Sequence, residues 1–472
     1  MRVQMKIRFS AHIAIAIISL GLIWKTPVQA QTFSVLYDFG TGTGDPTSPQ
    51  YPGLIAQGRD GNLYSTGTDG GTNGMGAVFR ITPAGKLSVL YSFDGTHGAN
   101  PNSGLTLGTD GNFYGTTKEG GAFDAGTVFK ITPTGSVTVM YSFSGGSDGG
   151  YPDAPPIQGT DGNFYGTTTH GGTIFGTVYK ITRVGTLTTL YTFDETPHGS
   201  FPIAPLVQGS DGSFYGITET GGGSASAGEV YKITATGTLT VLYDFDGTHG
   251  SAPTGPLIQG SDGNFYGTTW SGGGFGYGVA FKITPTGALT VLHNMNGTSD
   301  GGYPEAGLTQ VADGTLYGVN SGGASDKNYG TMFRITLRGT FSVLHEFDFT
   351  AGAMPYPTLV QHTKGILYGD TYRGGTGSGC FDNCGTFYGL NAGLKPFVSL
   401  VSTLGKVGKT IEILGQGLMG TSGVSFNGVP ATFKVVSNTY LTAVVPKEAT
   451  TGFVTVTTPS RKLTSNKKFR VN

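Results

Sequence analysis

Charge is scarce in this sequence. Asp, Glu, Lys and Arg make up 12% of its residues, about half the usual share. Cysteine is nearly absent: Cys380 and Cys384, the only two, lie in one short loop. In an exported chain a disulfide is expected there. The closed loop is so small that it contributes only about 2 kcal/mol. The alternative, a metal site, has two thiolates without a nearby His, half a zinc shell. Beyond residue 30 no apolar run approaches the roughly 20 residues that cross a bilayer as a helix, so no transmembrane segment is expected in the mature chain. The sequence also lacks a G-x-S-x-G elbow, an H-E-x-x-H, a phosphate loop and carboxylate pairs at repeated spacing. Glycine runs such as Gly272-Gly273-Gly274 lead into no helical pattern, so a nucleotide reading fails. No cofactor is expected. Catalysis by residues gathered from distant parts of the fold stays open.

Glycine, by contrast, is abundant, 83 of 472 residues. Between the glycines, Val, Ile, Phe, Tyr and Thr recur in short alternating runs, which is strand-and-turn composition and predicts an all-β chain. Its organising motif is Asp161-Gly162-Asn163-Phe164-Tyr165-Gly166, whose tyrosine recurs as Tyr64, Tyr114, Tyr165, Tyr215, Tyr266, Tyr317 and Tyr368. A period near 50 marks tandem repeats. The second unit reads as four strands over 104–107, 112–117, 127–132 and 137–143. Its Asp110-Gly111 turn predicts positive φ at both central residues. Alternation in the fourth strand predicts Val137, Val139 and Tyr141 on one face.

A four-stranded meander repeated radially is the blade of a β-propeller. The chain opens on a lone strand, 33–39, and the last unit has only three, at 358–361, 366–371 and 385–390. Pairing the orphan into that unit predicts a closed seven-bladed propeller with no free lateral edge.

Residues 1–30 read as a signal peptide: Arg2, Lys6 and Arg8, an apolar stretch over 13–24, and Val28-Gln29-Ala30 for cleavage. The mature chain is then exported, to the medium, the cell surface or the periplasm. The net charge of −1 hides an asymmetry, since 392–472 carries +8 and 1–30 carries +4, leaving −13 on 31–391. An acidic larger body beside a basic smaller one argues for two domains, 31–391 and 392–472. Neither is expected to bind nucleic acid, as the first repels phosphate and the second has no recognisable module.

The units combine D-G-N-F-Y-G, T-T-x-x-G-G and G-T-V-F-K-I-T-P-T-G over about 33–390. In this they resemble the GloVer-type tandem repeats of secreted bacterial choice-of-anchor proteins. That resemblance implies an exported repeat protein with no established chemistry. Members often carry a C-terminal surface anchor, whereas here neither a sorting motif nor an apolar tail precedes Asn472. Residues 394–472 resemble an IPT/TIG domain, an immunoglobulin-like β-sandwich. The matching residues are Pro396, Val398, Gly405, Gly408, Ile411, Ile413, Gly415 and Gly417, then Val424-Ser425-Phe426-Asn427-Gly428 and Ala431, then Leu441, Val444-Val445-Pro446 and 452–456. Leu404 replaces the usual early proline of that pattern.

Positions alike in every unit are read as framework, the tyrosine between neighbouring blades and the Asp-Gly as turn. Positions that vary within the constant frame are the binding candidates. The two residues before the double glycine are Thr68-Asp69, Lys118-Glu119, Thr169-His170, Glu219-Thr220, Trp270-Ser271 and Tyr372-Arg373, with only Ser321 in the sixth unit. From these come the candidate ligand residues Lys118, Glu119, His170, Glu219, Trp270, Tyr372 and Arg373, expected around one mouth of the channel. An aromatic beside His, Glu and Arg suits a sugar or peptide; the plainer reading is a drifting surface loop. His97, His198 and His249 precede glycines in the fourth-to-first connections. They are candidate metal ligands but equally ordinary turn residues. The expected function is an exported binding or scaffold protein recognising a glycan or protein. The alternatives are a propeller enzyme acting on extracellular polysaccharide, using Glu119 or Glu219 with His170, and a purely structural surface protein.

Overall fold

The computed structural model describes residues 31–47, 49, 53–323, 329–377, 380 and 383–472; the expected signal peptide lies outside them. Every regular element among the described residues is a strand. The second unit forms Thr106–Leu107, Phe113–Thr117, Thr127–Ile131 and Val137–Ser142, antiparallel and hydrogen-bonded in that order. The same order recurs in six sheets. In a seventh, Thr32–Asp38 pairs with Thr386–Asn391, which continues through Leu367–Asp370 to Val360–Gln361. The chain's first strand therefore completes its last repeat, from Thr32 opposite Asn391 to Asp38 opposite Thr386.

Apolar clusters link each sheet to the next. Tyr64, Phe93, Phe113 and Phe129 join the first and second, Tyr114, Phe143, Phe164 and Tyr179 the second and third, and so on around. Phe39, Phe79, Tyr368 and Phe387 join the seventh back to the first. The repeated tyrosine is the wedge. Tyr64 lies 4.1 Å from Phe113 and Tyr165 lies 3.9 Å from Phe214, ring to ring. In five units its hydroxyl donates to the aspartate of its own turn, at 2.8 Å for Tyr114 and Asp110, whereas Tyr368, whose turn carries Lys364 in that place, donates to Pro83 O. That Asp110 also accepts from the Asn112 backbone and amide at 3.1 and 2.7 Å. The motif is thus a self-contained hydrogen-bond set, Asp to Asn to Tyr, and its small Gly115 leaves room for the Phe129 ring, which would meet a Cβ at 2.7 Å.

Three sequence expectations fail for local reasons. In the Asp-Gly turn only the glycine is left-handed (Gly111, φ 86°). The Gly111 N–H donates to Gly108 O and the Gly108 N–H to Asn112 O, so this is a longer hairpin ending in a left-handed glycine. The fourth strand does not alternate throughout. A bulge at Met140 shifts its register against Val128 and Phe129, and Met140 and Tyr141 both pack against the same core. First strands are also shorter than expected: Leu105 donates to Leu54 O of the neighbouring unit instead of extending its own ladder.

At the end of the ring that carries the Asp-Gly turns, glutamines bind sheet to sheet. Gln158 accepts from Thr109 N–H of the preceding unit at 2.9 Å and donates to Gly162 O of its own at 3.1 Å. Gln208, Gln259 and Gln310 repeat the arrangement. Gln57 makes the corresponding bond to Thr363 N–H at 2.9 Å, across the closure.

C-terminal residues form two further sheets. One runs in the order Ser399–Leu400, Thr410–Leu414, Tyr440–Val444, Phe433–Val435; the other in the order Leu404–Gly405, Lys462–Val471, Gly452–Thr457, Gly423–Phe426, Val429–Ala431. They enclose one core that includes Val398, Ile413, Phe426, Leu441, Val456 and Phe469. This module rests on the turn end of the ring. Arg59 pairs with Glu412, its carbonyl accepts from Thr439 Oγ1 at 2.7 Å, and Gln416 donates to Thr363 Oγ1 at 3.1 Å. The expected disulfide is formed, Cys380 to Cys384.

Candidate functional site

The opposite end of the ring carries the second-to-third loops, where the candidate residues lie. Each loop pairs by its backbone with the neighbouring fourth-to-first connection: Ala99 with Glu119, Gly150 with His170, Ser251 with Ser271, Ala353 with Arg373. That pairing splits each two-residue candidate. The second residue is held in the bridge, although Arg373 from that position still reaches over the ring of Tyr372. The first residue instead meets the lead-in of a first strand, its own unit's for Thr169, Ser321 and Tyr372 and the next unit's for Thr68, Lys118 and Trp270. The sixth unit fits the same plan: Gly322 makes the bridge, to Gly302, and Ser321 takes the first place.

Members of the first-residue row meet side chains that follow a proline in each unit. Thr68 Oγ1 donates to Asn102 Oδ1 at 2.9 Å. Asn102 Nδ2 donates to Asp153 Oδ1 at 3.0 Å, and Thr169 Oγ1 to Asp153 Oδ2 at 2.8 Å. Lys118 Nζ lies 3.3 Å from Asp153 Oδ1. Ser321 Oγ donates to Glu305 Oε1 at 3.2 Å. Tyr372 lies 5.5 Å from Tyr356, ring to ring, and Arg373 covers the Tyr372 ring at 5.1 Å. Trp270 is 42% exposed and lies 5.5 Å from Tyr303.

Electrostatics tie these groups together. Burial raises the Glu305 carboxyl, Ser321 and Trp270 oppose this, Glu219 adds to it, and the result is about 7. Burial also raises Glu219, with the Asp153 charge adding to the shift. Glu219 is therefore within the field of both Asp153 and Glu305. Three carboxylates, one lysine and an exposed indole share this end of the ring.

The Glu305 shift has a testable sign. Its pKa rises from 4.5 to about 7 on folding, so the folded chain holds this proton more tightly than the unfolded one. Stability from this group is full at low pH and falls as pH rises across that window. Glu305→Gln removes the dependence: in thermal melts at pH 5 and 8, the variant gains on the wild type at pH 8. Parallel profiles would refute it.

Lys118, Glu219, Trp270 and Tyr372 are thus brought to one row, while Glu119 and His170 are not in it. Glu119 accepts from Asn100 at 2.9 Å. His170 faces the rings of Tyr151 and Phe201, at 5.7 and 5.4 Å, so the expected His170–Glu219 partnership has no support in its contacts. The reason is the backbone bridge, which turns successive residues to different sides. Each candidate metal histidine meets an aspartate of its own turn: His97 with Asp94 at 2.8 Å, His198 with Asp194 at 3.2 Å, His249 with Asp246 at 2.7 Å. Among the described residues no three His, Cys, Asp or Glu side chains gather as a metal site would require. Asp153 and Glu305 were not singled out from the sequence. Their signal was there: Asn102, Asp153, Ile203, Thr254, Glu305 and Tyr356 each follow a proline and differ from unit to unit.

A ring of self-similar sheets with an unvarying turn end and a varied loop end defines a tandem-repeat β protein. The chain belongs to the Gloeobacter/Verrucomicrobia repeat family, whose model matches residues 18–175 and 173–388. No curated protein matches the sequence. Solved structures similar to it include a gluconolactonase from Xanthomonas campestris (10% identity, TM-score 0.39, covering 61% of this chain and 84% of that one). A proposed 6-phosphogluconolactonase from Bacteroides uniformis gives 18% identity and a TM-score of 0.46 over 65% of this chain and 88% of that one. A luciferin-regenerating enzyme gives 12% and 0.36 over 78% and 98%.

Proposed function

We propose that the protein is an exported, non-catalytic binding protein, a seven-bladed β-propeller over 31–391 carrying an IPT/TIG, immunoglobulin-like module over 392–472. Its loop end recognises a glycan. Seven linked sheets with a shared closing sheet support the architecture, and the disulfide supports export. The observation that carries the binding reading is Trp270. An indole left 42% exposed beside Tyr303 offers an apolar face to the C–H side of a sugar ring, while Glu219, Glu305 and Asp153 accept from its hydroxyls. The net negative character of this row favours neutral or amino sugars over acidic ones.

With residues 1–30 removed, Trp270 is the only tryptophan, which makes the test direct. Titrating the chain from residue 31 with neutral, basic and acidic polysaccharides shifts Trp270 emission saturably for one of the first two classes, and Glu305→Gln weakens that binding severalfold. A tryptophan that quenchers reach but no polysaccharide perturbs would end the glycan reading in favour of a protein partner or a structural role.

A second reading rests on Glu305 alone. A carboxyl raised to about 7 beside Glu219 is poised as a general acid, as an enzyme acting on polysaccharide would need. Release of reducing ends, lost in Glu305→Gln, would favour it.

A further inference from the structure

Between the turn end of the ring and the C-terminal module lies a cavity of about 440 Å³, within the range of small-ligand sites. Its floor is made of the turns and glutamines of successive units, including Gln158, Gln208 and Gln259, and its roof of the strand Lys462–Val471 with Val401, Leu404 and Phe453. The charges that line it are of one sign. Arg183, Lys409, Lys467, Lys468 and Arg470 border the cavity and no carboxylate does. The turn aspartates beside the lining residues bond within their own units: Asp161 accepts from Tyr165 and pairs with Lys180, Asp211 accepts from Tyr215 and pairs with Lys232, and Asp262 accepts from Tyr266 and Asn264.

Two of these cations are fixed in place. Arg183 donates to Gly162 O at 3.0 Å and Thr109 Oγ1 at 3.1 Å, and Lys468 stands 5.9 Å over the Phe453 ring. Lys467 differs. Its side chain keeps accessible surface, because it borders the open space of the cavity instead of packing. Burial lowers its pKa, yet the side chain as a whole stays solvent-exposed, so the ammonium is hydrated and not sealed off. Among the described residues no acceptor meets its ammonium. With no acceptor of the fold against it, that ammonium is free to meet an anion entering the cavity. The glutamines of the floor supply no counter-charge, because their amides are neutral.

We propose that this cavity is a binding site for a small organic anion carrying two or more acidic groups, with Lys467 as its central partner and Lys409, Lys468 and Arg470 around it. The glutamine floor is neutral and bonded in part to its own turns, so recognition is by charge, with Leu404 and Phe453 covering the ligand's carbon skeleton. The site lies at the opposite end of the ring from Trp270 and is independent of the glycan reading.

Calorimetric titration with citrate tests it, using residues 31–472 at constant ionic strength and pH 7. Citrate is expected to bind at one site per chain, acetate at least tenfold more weakly. Lys467→Met is expected to lower citrate affinity at least tenfold while leaving the melting temperature of the ligand-free protein close to that of the wild type. Absence of saturable citrate binding, or equal binding by Lys467→Met, would overturn the proposal.

Discussion

A chain starting at residue 41 is expected to lose on the order of 5 kcal/mol or more of stability relative to one starting at residue 31, and to aggregate. The deleted strand, Thr32–Asp38, supplies the whole outer ladder of the closing sheet. Without it Thr386–Asn391 presents an unpaired edge, which templates association between chains. Packing is lost with the ladder. Phe39 is fully buried against Phe79, Phe33 stacks on His345 at 3.7 Å, and Asp38 accepts from Thr376 N–H and Oγ1 at 3.1 and 2.9 Å. Urea unfolding and sedimentation of the two chains measure both effects. An unchanged unfolding midpoint would mean that the ring does not depend on its shared sheet.

Asp370→Thr is expected to act in the other direction, stabilising the protein by roughly 2 kcal/mol at neutral pH. Asp370 has no solvent exposure, and neither of its oxygens has a partner. Burial holds its pKa well above the ordinary carboxylate range, so the folded state keeps it protonated and stability falls as pH climbs from that ordinary range through the raised value. Other units show what suits the position: Thr116 and Thr268 donate from the same place to Ala154 O and Ala306 O, at 3.0 and 2.8 Å. A threonine at 370 removes the orphaned carboxyl and its pH dependence. Melting curves of both proteins from pH 5 to 9 should diverge as pH rises. A destabilised variant would show that the carboxyl is held by something a hydroxyl cannot replace.

The repeat period carried most of the fold on its own. Seven tyrosines at near-constant spacing set the number of sheets, and a lone strand at one end with a missing one at the other set the closure. What alternation could not show is the bulge at Met140, because one extra residue inverts the faces without changing composition. The site was half legible. Variation before the double glycine pointed to Lys118, Glu219, Trp270 and Tyr372. Which of each pair contacts a lead-in depended on the backbone bridge, and that is a tertiary contact. Asp153 and Glu305 were hidden behind prolines that read as punctuation. The basic residues around the junction cavity looked like a solvated charge excess, because nothing local in 392–472 says which surface meets the ring.

The glutamine bonds bear on how the chain assembles. Gln158 reaches a turn 49 residues away, whereas Gln57 reaches one 306 residues away. Four of the five glutamine unions can therefore form between neighbours in sequence, and only the fifth must gather distant segments. Loop-closure entropy grows with the logarithm of length, so that final step costs only roughly 1.5 kcal/mol more than the others. Assembly can thus begin at any unit and spread to either side, with the first strand of the chain the last to be captured.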